Sequence, residues 1–316
     1  MSNVNLKGKS LLTWLDFESD EIRYLIDLAK DEKTSSRKGV VKQRFAGKTL
    51  ALIFEKRSTR TRCSFETAFG EEGGYPVFLS MQDIQLGGGK ETVEDTAQVL
   101  GRMFSAIQFR GFKQSTVEAL AKYSGVPVIN GLTDDYHPTQ VLADIMTLEE
   151  TFGQSKGRKL CYVGDGRNNV ATSLLIICSK LGVNFTNITP AKLNPDWAIV
   201  EKCAPLSAAS GAKIRITDNI DEVEGADAIY TDVWVSMGEE AKRDERLELL
   251  QPYQVNQALM DKTGKKDCIF LHCLPAVRDE EVSKVVIDGP QSRIWDQAEN
   301  RKHTIKAILL AALGAV

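Results

Sequence analysis

The sequence predicts an α/β protein built from two doubly wound, parallel-sheet domains joined by interdomain helices. Three observations predict it. Short, almost continuously apolar runs recur along the 316 residues, as strands buried on both faces require. Longer segments with helical apolar spacing stand between most of those runs. A chain of this length also holds about two domains of roughly 150 residues.

Composition narrows the class. With 42% hydrophobic and 26% charged residues, the chain is an ordinary globular one. Its formal net charge of -3 lacks the basic excess of a general nucleic-acid binder. No run approaches the ~20 apolar residues of a membrane span, and the apolar tail 305–316 is broken by Lys306. The first residues, Met1-Ser-Asn-Val-Asn-Leu-Lys, lack the apolar run of a secretion signal. Six cysteines with no CxxC pair make no disulfide framework, and read as the mostly buried thiols of a reduced, cytoplasmic protein.

The elements follow in order. Ile22, Leu25, Ile26 and Ala29 make one helical face behind Ser19 and the acidic turn Asp20-Glu21. Residues 49–54 (TLALIF) read as a buried strand, and the helix after it runs through Phe65, Ala68 and Phe69. Residues 92–103 form a helix with Val93, Ala97, Leu100 and Met103 inward. Further strands are expected at 106–109, 126–129, 160–163, 183–188, 213–217, 228–231 and 268–271. A long helix starts at Pro138, which suits a first turn, and ends near 151. The polar connector 152–157 then separates a domain at 1–150 from one at 151–300, and the C-terminal stretch 301–316 is expected to pack back on the first.

In open parallel sheets, ligands bind where strands end. The segment after 49–54 is Glu55-Lys56-Arg57-Ser58-Thr59-Arg60-Thr61-Arg62. It opens a helix, whose unpaired N–H groups and positive dipole end seat a phosphate; Ser58, Thr59 and Thr61 add hydroxyls, and Arg60 adds a planar fork. Arg110 directly follows another strand, as a rim salt bridge or a second ligand cation. His137 precedes Pro138-Thr139-Gln140 at a helix start, where a protonated imidazole is disfavoured. A neutral ring there suits donation to a carbonyl oxygen.

Gly164-Asp-Gly-Arg-Asn-Asn matches a dinucleotide fingerprint only in its first half, since Asn169 replaces the third glycine; no nicotinamide cofactor is expected. Asn169 presents an amide for a substrate carboxylate, or serves the turn alone. Asp232 suits a substrate ammonium group, or caps its loop. Ser236-Met237-Gly238 and the charged run after it, through residue 248, read as a solvated lid. Cys273, before Leu274-Pro275, is open to three readings: nucleophile, polarising thiol or small core residue. His272 adjoins it, but the spacing offers no two further ligands, so no metal is expected.

Taken together, Ser58-Thr-Arg-Thr-Arg62, His137-Pro-Thr-Gln140, Asp232-Val-Trp-Val-Ser-Met-Gly238 and His272-Cys-Leu-Pro275 resemble the ornithine carbamoyltransferases over nearly the whole chain. The first motif is shared with aspartate carbamoyltransferases; the last two are more specific to the ornithine enzymes. The resemblance implies catalytic roles for Arg60, Arg110, His137, Cys273 and Arg301. It implies a carbamoyl phosphate site made by Ser58, Thr59, Arg60, Thr61, Gln85, Arg110, His137, Pro138, Thr139, Gln140, Cys273, Leu274 and Arg301. It assigns ornithine to Asn169, Asp232, Ser236 and Met237. It further implies a carbamoyl-phosphate domain first and an ornithine domain second, no cofactor, and a homotrimer or multiple of trimers, with Gln85 reaching into a neighbouring subunit's site. The run Gln85-Leu-Gly-Gly-Gly-Lys-Glu-Thr92 departs from the family's usual shorter loop. Rival readings are a carbamoyltransferase for putrescine, N-acetylornithine or aspartate, and a non-catalytic phosphate- or amino-acid-binding protein.

Overall fold

In a computed structural model, residues 4–40, 42–82, 84–86, 90–235, 238 and 240–316 are described. The chain divides into two compact units, 1–143 with 299–316, and 144–298.

The first unit runs α1 (Ser19–Arg37), β1 (Thr49–Phe54), α2 (Thr59–Gly70), β2 (Tyr75–Ser80), α3 (Val93–Met103), β3 (Ala106–Arg110), α4 (Gln114–Ser124), β4 (Val128–Leu132) and α5 (Pro138–Phe152). Its four strands are parallel and ordered β2-β1-β3-β4. The expected strands at 49–54 and 106–109 are present, whereas β2 carries no strong alternation and was not expected. It is a half-buried edge strand, where Pro76 is tolerated. β3 and β4 are buried throughout and β1 from its second residue, which is why they read as mostly apolar runs. Thr92 caps α3 by accepting from the Asp95 amide, and Asp95 reaches back to the Thr92 amide.

The second unit contains β5 (Lys159–Val163), α6 (Asn169–Leu181), β6 (Asn184–Ile188), α7 (Trp197–Ser210), β7 (Ile214–Thr217), β8 (Ala228–Thr231), α8 (Arg243–Leu250), α9 (Gln257–Lys262), β9 (Ile269–His272) and α10 (Lys284–Ile287). Its five strands are again parallel, in the order β7-β6-β5-β8-β9. The chain leaves it through α11 (Ile294–Leu313). The unit boundaries therefore fall inside α5 and α11.

Residues 299–316 are fastened to the first unit by charge as well as by apolar packing. Lys306 reaches Glu71 at 2.9 Å and Glu72 at 3.5 Å, Arg44 lies between Glu72 and Glu32, and Lys33 donates to Asn300. The arginine and lysine partners hold Glu32, Glu71 and Glu72 below the usual carboxylate range against the opposing effect of burial. Among the described residues, no helix is long and apolar enough to cross a membrane.

Both sheets are wound outward in two directions from a central pair, β1/β3 in one and β5/β8 in the other. At such a point the connections leave to opposite faces and open a crevice beyond the strand ends. These crevices receive the polar clusters.

Candidate active site

In the first unit the crevice lies between the turn after β1 and the end of β3. Ser58 accepts from the Thr61 amide at 3.2 Å and caps α2. Thr61, buried one turn in, is the hub. Its Oγ1 accepts from Arg110 Nη1 at 3.3 Å and from Arg301 Nη2 at 3.1 Å. Arg301 also donates to Gln140 Oε1 at 2.7 Å and lies 3.5 Å from Thr139 Oγ1. The Pro138 carbonyl accepts from Trp14 Nε1 at 2.9 Å, which pins the start of α5. Residues remote in sequence, 58–61, 110, 137–140 and 301, thus share one place within a single unit.

His137 is buried beside this group. Burial pushes its imidazole well below the ordinary histidine range, and the positive charges of Arg301, Arg110 and Arg60 add to the effect. A neutral ring amid three guanidinium groups can donate a hydrogen bond without adding a fourth charge. Of the four cations between 56 and 62, Lys56 is committed to Asp134, and Arg62 pairs with Glu66 at 2.9 Å while lying over Phe78. Arg60 is the one whose charge is felt at His137. A cleft of about 530 Å³ is lined by Arg57, Ser58, Thr59 and Gln82. Gln85 is exposed in the connection between β2 and α3; residues 87–89 of the glycine run lie outside the described residues.

In the second unit the crevice lies between the turn after β5 and the end of β8. Asp232 is buried and receives three donors: Asn168 Nδ2 at 2.7 Å, the Val233 amide at 2.8 Å and Cys273 Sγ at 3.0 Å. Asn168 also caps α6, its Oδ1 accepting from Val170 and Ala171. Asn169, the residue singled out in the sequence, is half-buried at the first position of α6. Asn168, which sequence reasoning passed over, is the residue gripping Asp232. Its cap position before an apolar helix was the available signal.

Cys273 and His272 part company. His272 is fully buried, its Nδ1 accepts from the Leu274 amide at 2.9 Å, and its Nε2 faces Glu281 at 3.2 Å. Glu281 also accepts from the Val277 amide. The histidine therefore shapes the turn that presents Cys273 and Leu274, the latter at the uncommon φ of +58°. Cys273 is half-buried, whereas burial pushes the thiols of Cys161 and Cys268 up to about 12 and that of Cys203 to about 11.

One sequence argument is extended here and another is corrected. The expected absence of a metal rested on spacing, but the fold adds Asp232 to His272 and Cys273, with donor atoms all within 4.8 Å. Both His272 ring nitrogens are already engaged, so the group fits a metal only by giving up the turn. Nor is the run after Gly238 wholly solvated. Within α8, Arg246 is buried and donates to Asp165 Oδ2 at 2.6 Å, and Leu250 packs with Trp234 and Leu193. Ser236 and Met237 lie outside the described residues.

A cationic, donor-rich crevice in one parallel-sheet unit and a carboxylate-centred crevice in the other are the layout of a two-substrate α/β transferase. Known proteins agree. Residues 9–150 match the carbamoyl-P binding domain of aspartate/ornithine carbamoyltransferase, and residues 156–312 match its Asp/Orn binding domain. The chain belongs to the aspartate/ornithine carbamoyltransferase family, and so to a family of carbamoyl-transferring enzymes. It is 64% identical to the ornithine carbamoyltransferase of Caldanaerobacter subterraneus subsp. tengcongensis, covering 98% of this chain and 99% of that one. It is 62% identical to that of Pseudothermotoga lettingae, with the same coverage. The ornithine carbamoyltransferase structure from Pyrococcus furiosus superposes with a TM-score of 0.95 at 46% identity, covering 99% of both chains.

Proposed function

We propose that this chain transfers the carbamoyl group of carbamoyl phosphate to the δ-amino group of L-ornithine, giving L-citrulline and phosphate. The convergence of Arg110, Arg301 and the α2 N-terminus on Thr61 carries the reading, because it concentrates donors where a phosphate and a developing oxyanion need them. Ser58, Thr59, Arg60, Thr61 and Arg110 hold the phosphate. Neutral His137, Gln140 and Arg301 address the carbamoyl end, with Pro138 and Thr139 fixing their helix. Asp232 takes ornithine's α-ammonium group, Asn169, Ser236 and Met237 complete the amino-acid site, and Cys273 and Leu274 line the approach of the δ-amine.

The neutral amine attacks the carbonyl carbon, a tetrahedral oxyanion forms, and the bond to the phosphate oxygen breaks as one proton leaves nitrogen. Carbamoyl phosphate is already activated, so the protein supplies orientation and charge stabilisation. In this reading the first unit is the carbamoyl-phosphate domain and the second the ornithine domain. The enzyme works in the cytoplasm, with its six free cysteines reduced, as a homotrimer or multiple of trimers to which Gln85 contributes across the subunit boundary. Purified protein is given carbamoyl phosphate with ornithine, putrescine, N-acetylornithine or aspartate. Citrulline from ornithine, well ahead of product from the other three, is expected; preference for another acceptor overturns the assignment.

A further inference from the structure

Gln108 stands on β3 two residues before Arg110, on the same side of the strand. It is completely buried, and among the described residues neither its Nε2 nor its Oε1 has a hydrogen-bond partner. A carboxamide so placed costs stability, because its two polar atoms have left water without replacement. Its surroundings are informative. A Cβ on Gly131 would stand 2.3 Å from Gln108 Nε2 and 3.2 Å from the Thr61 methyl carbon, so the carboxamide and the Thr61 side chain converge over that glycine. Thr61 Oγ1 in turn accepts from both Arg110 and Arg301. Arginine bonds to a phosphate are charge-assisted and stronger than arginine bonds to a hydroxyl, so an arriving anion draws these donors away from Thr61.

We propose that Gln108 is a positioning residue for the anion-binding end: as the arginines turn to the phosphate, the Gln108 amide becomes the buried donor to the Thr61 hydroxyl and holds it in place. The cost of burying the amide falls on the unliganded fold, so the hydrogen bond forms without further desolvation. The inference rests on the proposed function. It is tested in the full chain with Gln108→Met, which keeps length and removes both polar atoms, with Thr61→Val, and with the double variant.

Gln108→Met is expected to melt no lower than the parent, to raise KM for carbamoyl phosphate about fivefold, as loss of one neutral hydrogen bond implies, and to leave KM for ornithine unchanged. In the Thr61→Val background it is expected to add less than twofold. Unchanged KM in the single variant, or the same fivefold factor in the Thr61→Val background, overturns the proposal. So does unfolding of both Gln108→Met and a second variant, Gln108→Leu, since the carboxamide then serves the core. Failure of the parent to make citrulline would sink the functional reading alone, because the same comparison is then read from calorimetric binding of inorganic phosphate.

Discussion

The turns after β1 and β5 are built alike and do opposite work. Each leaves a central strand at the winding point of its sheet and opens a helix whose first turn is capped by a side chain, Ser58 in one and Asn168 in the other. Around the first lie Arg60, Arg110 and Arg301, whose charges act on His137. Around the second lie Asp165 and Asp232, with Asp165 taken up by Arg246 and Asp232 held by Asn168, Val233 and Cys273. The backbone device is indifferent to ligand; the charges brought to it from neighbouring strands and from α8 or α11 decide whether an anion or an amine is received. On the anion side Thr61, Arg110, Gln140 and Arg301 are buried and mutually bonded, as suits a site that must oppose developing charge without rearranging.

That contrast can be broken by variants, taken here from the largest expected effect. Arg60→Ala removes a donor from the cationic turn and should lower kcat/KM for carbamoyl phosphate by about 10²–10³, with no cost in melting temperature. Near-normal turnover would remove Arg60 from the phosphate seat. Arg246→Met removes the buried partner of Asp165 and leaves it only the more exposed Arg167, 3.5 Å away, and should destabilise the second unit by about 2 kcal/mol, read by denaturant unfolding. A loss under ~1 kcal/mol would mean that α8 is held by Leu250 and its apolar neighbours alone. Asp232→Asn keeps the shape of the carboxylate and removes its charge. It should raise KM for ornithine by about 10- to 100-fold, the scale of a charge-assisted bond, and leave carbamoyl phosphate binding unchanged; equal effects on both substrates would erase the distinction between the two crevices.

A pH dependence of stability tests the cationic side alone. His137 is held well below 6.5 in the folded chain, so in the window below about 6.5 the unfolded chain binds more protons than the folded one. Its contribution is complete above that value and is lost as pH falls, with a slope of about 1.4 kcal/mol per pH unit. His303, pushed down to about 4 by its burial, adds in the same direction. The lowered carboxylates Glu32, Glu71 and Glu72 lose their contribution only below about 4.5, so a melting series from pH 7.5 to 5 isolates the histidines. His137→Gln should lower that slope by about half, leaving the share of His303, and an unaltered slope would place the ring's titration elsewhere.

Much of the fold was legible because buried parallel strands announce themselves locally. Residues 49–54 and 228–231 were bounded as they stand, and the other expected strands differ by one to three residues at their ends. β2 escaped because it lacks alternation and its apolar run at 75–79 contains Pro76, which counts against a strand. The β1–α2 turn was equally legible, since a cap hydroxyl and basic residues at a helix start are neighbours in sequence. Asn168, Arg246 and Gln108 were not. The first two matter through partners 64 and 81 residues away, and Gln108 sits in an otherwise apolar strand whose lateral neighbours are set by pairing.

The amino-acid order alone settled most of the strands and helices, β2 excepted, and which polar groups stand at strand ends, because period and capping are properties of a few consecutive residues. Packing of the whole chain settled that β1 lies beside β3 and β5 beside β8, and so which strand ends share a crevice. It also settled that His137 is buried among arginines that disfavour its protonation, that His272 supports a turn while its neighbour Cys273 faces Asp232, and that Arg246 lies buried on Asp165. The reason is that strand order and burial follow from the free energy of covering every apolar face at once, a quantity no local window contains.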